Sequence, residues 1–199
     1  AAGNTPLHLA MMRAARRPGN AAAEEDCIAE LVGVGAAVNI FNSVGCTPVH
    51  IAASAGDVKS LNTLLSSGSS GAASVVNSRC TTVYPGFTPL HCACQGAFFP
   101  VISLLVNKHG AAIDTCDARG RTPLSLLIHV NRMSKREEAM PDSTVLISCA
   151  DVILKAMRDD AAREWKMSVS DAVQSGALSR HDASAAVAAG PPAPRPCIT

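Results

Sequence analysis

Four short stretches of this chain set small or aliphatic side chains in a row just after a Thr-Pro pair: Leu9-Ala10, Ile51-Ala52-Ala53, Cys92-Ala93-Cys94 and Leu126-Leu127-Ile128. A threonine ahead of a helix can offer its oxygen to the unpaired N–H groups of the first turn, and proline beside it sits where a missing N–H costs nothing. Each stretch is therefore predicted to open a helix, with the small residues on a face that a neighbouring helix approaches closely. A second apolar pattern trails the first. Ile28-Ala29-Glu30-Leu31-Val32 precedes Gly35-Ala36-Ala37-Val38-Asn39, and Val101-Ile102-Ser103-Leu104-Leu105 precedes Gly110-Ala111-Ala112-Ile113-Asp114. These predict a second helix per unit, stopped by a glycine suited to a left-handed cap.

The units repeat. Thr5-Pro6-Leu7-His8, Thr47-Pro48-Val49-His50, Thr88-Pro89-Leu90-His91 and Thr122-Pro123-Leu124-Ser125 are one tetrapeptide at spacings of 42, 41 and 34 residues. Asn39 to Thr47 and Asp114 to Thr122 are eight steps each, with Gly45 and Gly120 two before the threonine, which predicts a fixed hairpin finger between units. The tetrapeptide and the glycine turn resemble the T-P-L-H-x-A and G-A-D-V-N signatures of the ankyrin repeat, whose period is about 33 residues. The resemblance implies an all-α solenoid of helix-turn-helix units with hairpin fingers, about four repeats plus a degenerate C-terminal cap. On this reading 1–157 is the repeat domain, with repeats at about 3–44, 45–85, 86–119 and 120–160. Residues 158–190 form the cap, with a short helix from Asp171 to Leu178 and a second after Arg180; an alanine-rich helical tail that packs on nothing is the alternative there. Residues 191–199 are a proline-rich disordered end.

The longer spacings require insertions. In the first unit roughly nine residues are extra by comparison with the family period, placed at Ala15 to Glu24 as a loop between the two helices. In the second, Ser66 to Gly71 lengthens the turn after Leu64-Leu65, and the finger grows from eight steps to eleven between Asn77 and Thr88. In the fourth, Met133 to Ser143 parts the two helices, and Lys135-Arg136-Glu137-Glu138 makes that insertion a solvated charged loop.

Composition narrows the function. With 48% hydrophobic, 17% charged and 3% aromatic residues, the 199-residue chain builds its core from Ala, Leu, Val and Ile. A net charge of +1 leaves no electrostatic footprint for nucleic acid or a membrane surface. The longest apolar stretch, Ala97 to Val106, contains Pro100 and is about half the ~20 residues of a membrane span, so no membrane insertion is expected. The chain starts without an initiator methionine, four residues before a repeat motif, and nothing ahead of Thr5 covers the first stacking face. A longer parent protein is expected.

Eight cysteines, at positions 27, 46, 80, 92, 94, 116, 149 and 197, include no C-x₂-C pair, so no metal site is expected. Cys92 and Cys94 point to different sides of a helix, while Cys27, Cys92 and Cys149 fall on apolar faces as small hydrophobes. Free thiols place the protein in a reducing compartment, cytoplasmic or nuclear. His91 beside Cys92 lacks the geometry of a base and nucleophile. No phosphate-binding loop, nucleophile elbow or H-E-x-x-H helix occurs, so no catalytic residue, enzyme activity or cofactor is expected.

The resemblance supplies roles for the remaining residues. It implies that His8, His50 and His91 are structural struts bonding the threonines Thr5, Thr47 and Thr88 and a neighbouring backbone, with Thr122 opening the divergent fourth unit. It also implies a groove of finger tips and inner-helix positions that binds a partner protein: Phe41, Ser43, Val44 and Cys46 on the first finger, Ser54 and Ala55 on the next helix. Arg79, Tyr84, Phe87 and Gln95 follow, then Cys116, Ala118, Arg119, Arg121 and His129. The expected function is a monomeric, non-enzymatic adaptor or scaffold, and the sequence does not choose between holding a partner and blocking it. The alternative is a targeting or regulatory segment of a larger enzyme, such as a kinase or acyltransferase, whose catalytic domain lies outside these residues.

Overall fold

The computed structural model describes residues 3–16, 21–66, 72–134 and 143–174. Among them every regular element is helical: α1 (Pro6–Arg16), α2 (Ala21–Gly33), α3 (Pro48–Ala55), α4 (Val58–Ser66), α5 (Ala72–Val76), α6 (Pro89–Gln95), α7 (Phe99–Ser103), α8 (Pro123–Ser134) and α9 (Ser143–Gln174). A π-helical turn, Leu104–Lys108, follows α7 directly. The chain divides into two compact units, Ala1–Ile153 and Leu154–Thr199.

Within the first unit the helices pair as α1 with α2, α3 with α4 and α6 with α7, and the pairs stack. The inner row runs α1, α3, α6, α8 and the outer row α2, α4, α7. This is the solenoid that the repeated tetrapeptide predicts. Leucine or valine at the third tetrapeptide position is buried in the first three copies, at Leu7, Val49 and Leu90. Ala52, Ala53 and Ala93 are buried behind them, so the inner row packs through small side chains. Leu61, Leu64, Val101, Ile102 and Leu105 fill the space toward the outer row. In α9, Leu146, Cys149 and Ile153 recur at helical spacing and are buried, and Cys149 Sγ lies 3.8 Å from the Ala97 carbonyl.

Three expectations are corrected. The extra residues of the first unit are not one loop from Ala15 to Glu24: α1 continues to Arg16 and α2 starts at Ala21. The ion pair Arg13–Glu24, at 3.2 Å with the Glu24 side chain nearly buried, ties the two lengthened helices together. Cys27 is exposed on α2 rather than on its apolar face, while Cys92 and Cys149 are buried. The short helix expected to open at Asp171 is instead the end of the 32-residue α9. Downstream of the Ser66 insertion the chain forms α5, with Val75 and Val76 buried, a helix absent from the expected unit. Arg17 to Asn20, Ser67 to Gly71, the charged insertion at Lys135 to Glu138, 175–190 and the tail 191–199 lie outside the described residues. In the second unit, the described part of α9 carries an Arg163–Asp160 pair at 3.1 Å.

Candidate functional site

The site is built from the helix starts upward. Thr47 and Thr88 adopt extended backbone just before α3 and α6, and each donates its backbone N–H to a side chain three residues on that replaces the usual glutamate of a capping box. That partner is the tetrapeptide histidine. Nδ1 of His8, His50 and His91 accepts the backbone N–H of Thr5, Thr47 and Thr88 at 3.2, 3.3 and 3.2 Å. The threonine hydroxyls lie 2.8, 2.9 and 2.9 Å from the same nitrogens. On the other side of each ring, Nε2 donates to the carbonyl just before the next threonine: Cys46 at 3.0 Å, Phe87 at 3.2 Å and Arg121 at 3.0 Å. Every imidazole thus joins one unit to the finger of the next. The neutral Nε2–H tautomer satisfies both sides, and burial lowers the pKa of all three, His50 to about 4. In the fourth copy the Ser125 hydroxyl turns back to the Thr122 carbonyl at 2.9 Å.

The fingers carry the exposed residues. In the first, Asn42 N–H donates to the Cys46 carbonyl and Gly45 N–H to the Asn42 carbonyl, while Asn42 Oδ1 accepts from Val44 and Cys46. The third repeats this with Asp117, whose Oδ1 accepts from Arg119 and Arg121, both at 2.8 Å. Burial alone would raise the Asp117 carboxyl, but the Arg121 amide and guanidinium and the Arg119 amide hold it below its ordinary value. The second finger keeps the same closures with three residues more: Cys80 N–H donates to Phe87 at 2.7 Å and Gly86 N–H to Cys80 at 2.8 Å. Cys80 stands where its neighbours have Asn42 and Asp117, so its thiol is released from the capping task.

Backbone hydrogen bonds connect the fingers edge to edge. Thr81 N–H donates to Gly45 and Val83 N–H to Val44 on one side, and Ala118 N–H to Pro85 on the other. Gly45 permits the first contact: at φ +74, a Cβ there would meet the Thr81 amide nitrogen at 2.8 Å and the Thr81 hydroxyl even closer. Gly45→Ala is expected to cost about 1–2 kcal/mol through backbone strain, read as a lower urea midpoint at unchanged m-value.

Between α3, α6 and the second finger lies an open cavity of about 350 Å³, lined by Cys46, His50, Ile51, Ser54, Tyr84, Cys92, Gln95, Gly96 and Phe98. Phe98 enters it because Ala97 takes a left-handed turn at φ 52, and its ring packs where a Cβ on Gly56 or Gly96 would stand. Tyr84 is held over the cavity by stacking on Phe87, with ring centroids 5.1 Å apart, and Phe87 packs in turn on His91 at 5.3 Å.

Of the residues implied by the resemblance, Ser54, Tyr84 and Gln95 line this cavity together with Cys46. Phe41, Ser43 and Val44 are exposed on the first finger, Arg119 on the third, and His129 on α8. Arg79 is exposed and donates to the Cys116 carbonyl, with Cys116 half-buried, so the two brace the second finger against the third. Two assignments change. Phe87 is buried rather than displayed, because it is the centre of the ring column. Arg121 is half-buried, paired with Asp117 at 2.8 Å and seated over the Phe87 ring at 5.8 Å. Phe98, Ile51 and the exposed Val83 were not singled out by the sequence. The eleven-step finger was the signal for Val83, since inserted residues must project somewhere.

The ankyrin repeat family model matches residues 2–43, 44–79 and 85–118, more than half of the chain. The chain belongs to the ankyrin repeat family. No curated protein matches it. Ankyrin repeats generally mediate protein–protein interaction, and the domains they form are typically non-catalytic. The three matches coincide with the three threonine–histidine struts, so the family signature and the repeat-to-repeat hydrogen bonds are one feature of this ankyrin domain. Among the described residues no helix is long and apolar enough to cross a membrane.

Proposed function

We propose that this ankyrin repeat protein is a non-enzymatic adaptor or scaffold whose fingers and groove bind a partner protein. The observation that carries the reading is the edge-to-edge bonding of three fingers above the cavity. It presents Phe41, Val44, Tyr84 and Arg119 as one pre-ordered surface, and aromatic and arginine side chains dominate interface energetics. Ser43, Ser54, Gln95 and His129 supply polar contacts around them, Arg79 and Cys116 hold the second and third fingers in place, and Arg121 fixes the third finger from within. In the same reading α8 and the start of α9 act as a fourth, divergent repeat, supported by the packing of α8 on α6. The chain works as a monomer in the cytosol or nucleus.

The test is affinity capture with the intact chain and with a variant carrying Phe41→Ala, Tyr84→Ala and Arg119→Ala. Circular dichroism should give the same helicity for both, with stability lowered by no more than about 1.5 kcal/mol, the loss expected from the Tyr84–Phe87 stack. Proteins captured by the intact chain and identified by mass spectrometry should be lost from the variant. Equal capture by both would place binding on the outer helices or the insertions and remove the groove assignment.

A further inference from the structure

We propose that Cys46 and Cys80 form a dithiol site, at which a small-molecule disulfide closes a covalent bond between the first and second fingers. The two sulfurs are 34 residues apart in sequence and 2.6 Å apart in space. The backbone on both sides is pinned. Cys46 N–H donates to Asn42 Oδ1 at 2.9 Å, and its carbonyl accepts from His8. Cys80 is clamped at both its N–H and its carbonyl by Phe87 and Gly86, and the next residue, Thr81, donates to Gly45 at 3.2 Å. The thiols therefore face each other from fixed positions, and only a small further approach separates the contact from a bond of about 2.05 Å.

The two thiols are unequal in a way that orders the chemistry. Cys46 is half-buried and lines the open cavity, so a solute can reach it, whereas Cys80 is buried behind it. The contact between the two sulfurs lowers the Cys46 pKa and, with burial, raises that of Cys80. Cys46 is the attacking group because the thiolate is the nucleophile. Its sulfur attacks one sulfur of the disulfide and expels the first thiolate, leaving a mixed disulfide. Cys80 then gives up its proton and displaces the second thiolate from Cys46. The Cys46–Cys80 bond has formed, two cysteine thiols are oxidised, and the reagent leaves as two thiols. Cys92 lines the same cavity but is buried, its thiol pushed up to about 12, so it stays protonated. The corresponding pair between the second and third fingers is Phe87 and Asp117, which has no such chemistry.

The site is independent of which partner the groove takes, so it can be tested on the intact chain alone. The probe is glutathione disulfide, followed by alkylation, proteolysis and mass spectrometry. The expected product is a dithiothreitol-sensitive peptide pair joining the segments that carry Cys46 and Cys80. It should appear with release of two reduced glutathione molecules per bond and no glutathione left on either residue. Cys80→Ser should stop at a glutathione adduct on Cys46, and Cys46→Ser should leave Cys80 alkylated. Recovery of both residues as alkylated peptides from the intact chain would overturn the proposal, as would a stable glutathione adduct on Cys46 there. The intact-chain measurements decide the matter even if a serine variant fails to fold.

Discussion

Leu90→Ala lowers the free energy of unfolding by about 2–5 kcal/mol. Leu90 is fully buried at the start of α6, which packs against α3 on one side, α8 on the other and α7 behind. Removing its branched end leaves a void in a helix row whose other members are mostly small, and alanine neighbours have no side-chain length with which to fill it. In a stack whose stability is the sum of repeats and the contacts between them, a central repeat contributes to two such contacts. Urea unfolding followed by circular dichroism should show the midpoint falling with the m-value preserved. Leu9→Ala, half-exposed on α1, is the control and should stay within about 0.5 kcal/mol of the parent. A loss below about 1 kcal/mol at Leu90 would mean that the stack relaxes into the void.

The second large effect is on pH. The ordinary histidine value is 6.5, and burial lowers His8, His50 and His91 below it, His50 to about 4. A second proton on any of these rings would have to sit on Nδ1, which already accepts a threonine N–H, so protonation breaks the cap as well as charging a buried ring. Between the two values the unfolded chain binds the proton and the folded chain does not, and stability falls as pH falls through that window. His50 alone should account for roughly 3 kcal/mol between about pH 6.5 and about pH 4. Asp117 acts lower: its depressed value makes its contribution fade only once pH drops below the ordinary carboxylate range. Urea midpoints should change little from about pH 7.5 to about pH 6.5 and then decline toward about pH 4.5, and His50→Gln should be less stable at neutral pH yet show a shallower decline. An identical slope in both proteins would move the linkage away from this ring.

What the sequence made legible was local. The threonine, proline and histidine of each unit act across three residues, and the fingers repeat in eight steps, so helix starts, struts and repeat order could be read from a single strand of text. What escaped arises from contacts and backbone turns that only the folded chain brings about. Lengthening α1 and α2 in place of a loop depends on Arg13 meeting Glu24, eleven positions on. Cys80 faces Cys46 because the second finger docks on the first in one register, and no spacing rule links positions 46 and 80. Phe98 enters the cavity through the left-handed turn at Ala97, a conformation that alanine does not advertise. Arg121 reads as a free cation in the sequence and is spent on Asp117 and Phe87 in the fold.

The change of partner at Ser125 gives the array a direction. His8, His50 and His91 each grip the backbone ahead of them, whereas Ser125 closes on its own turn. A chain linked in this manner behaves like a zipper with its slider at one end. Amide exchange should be fastest in α8 and become progressively slower through α6 toward α3, and a pull applied beyond α8 should detach that helix first while the three strutted units still hold together.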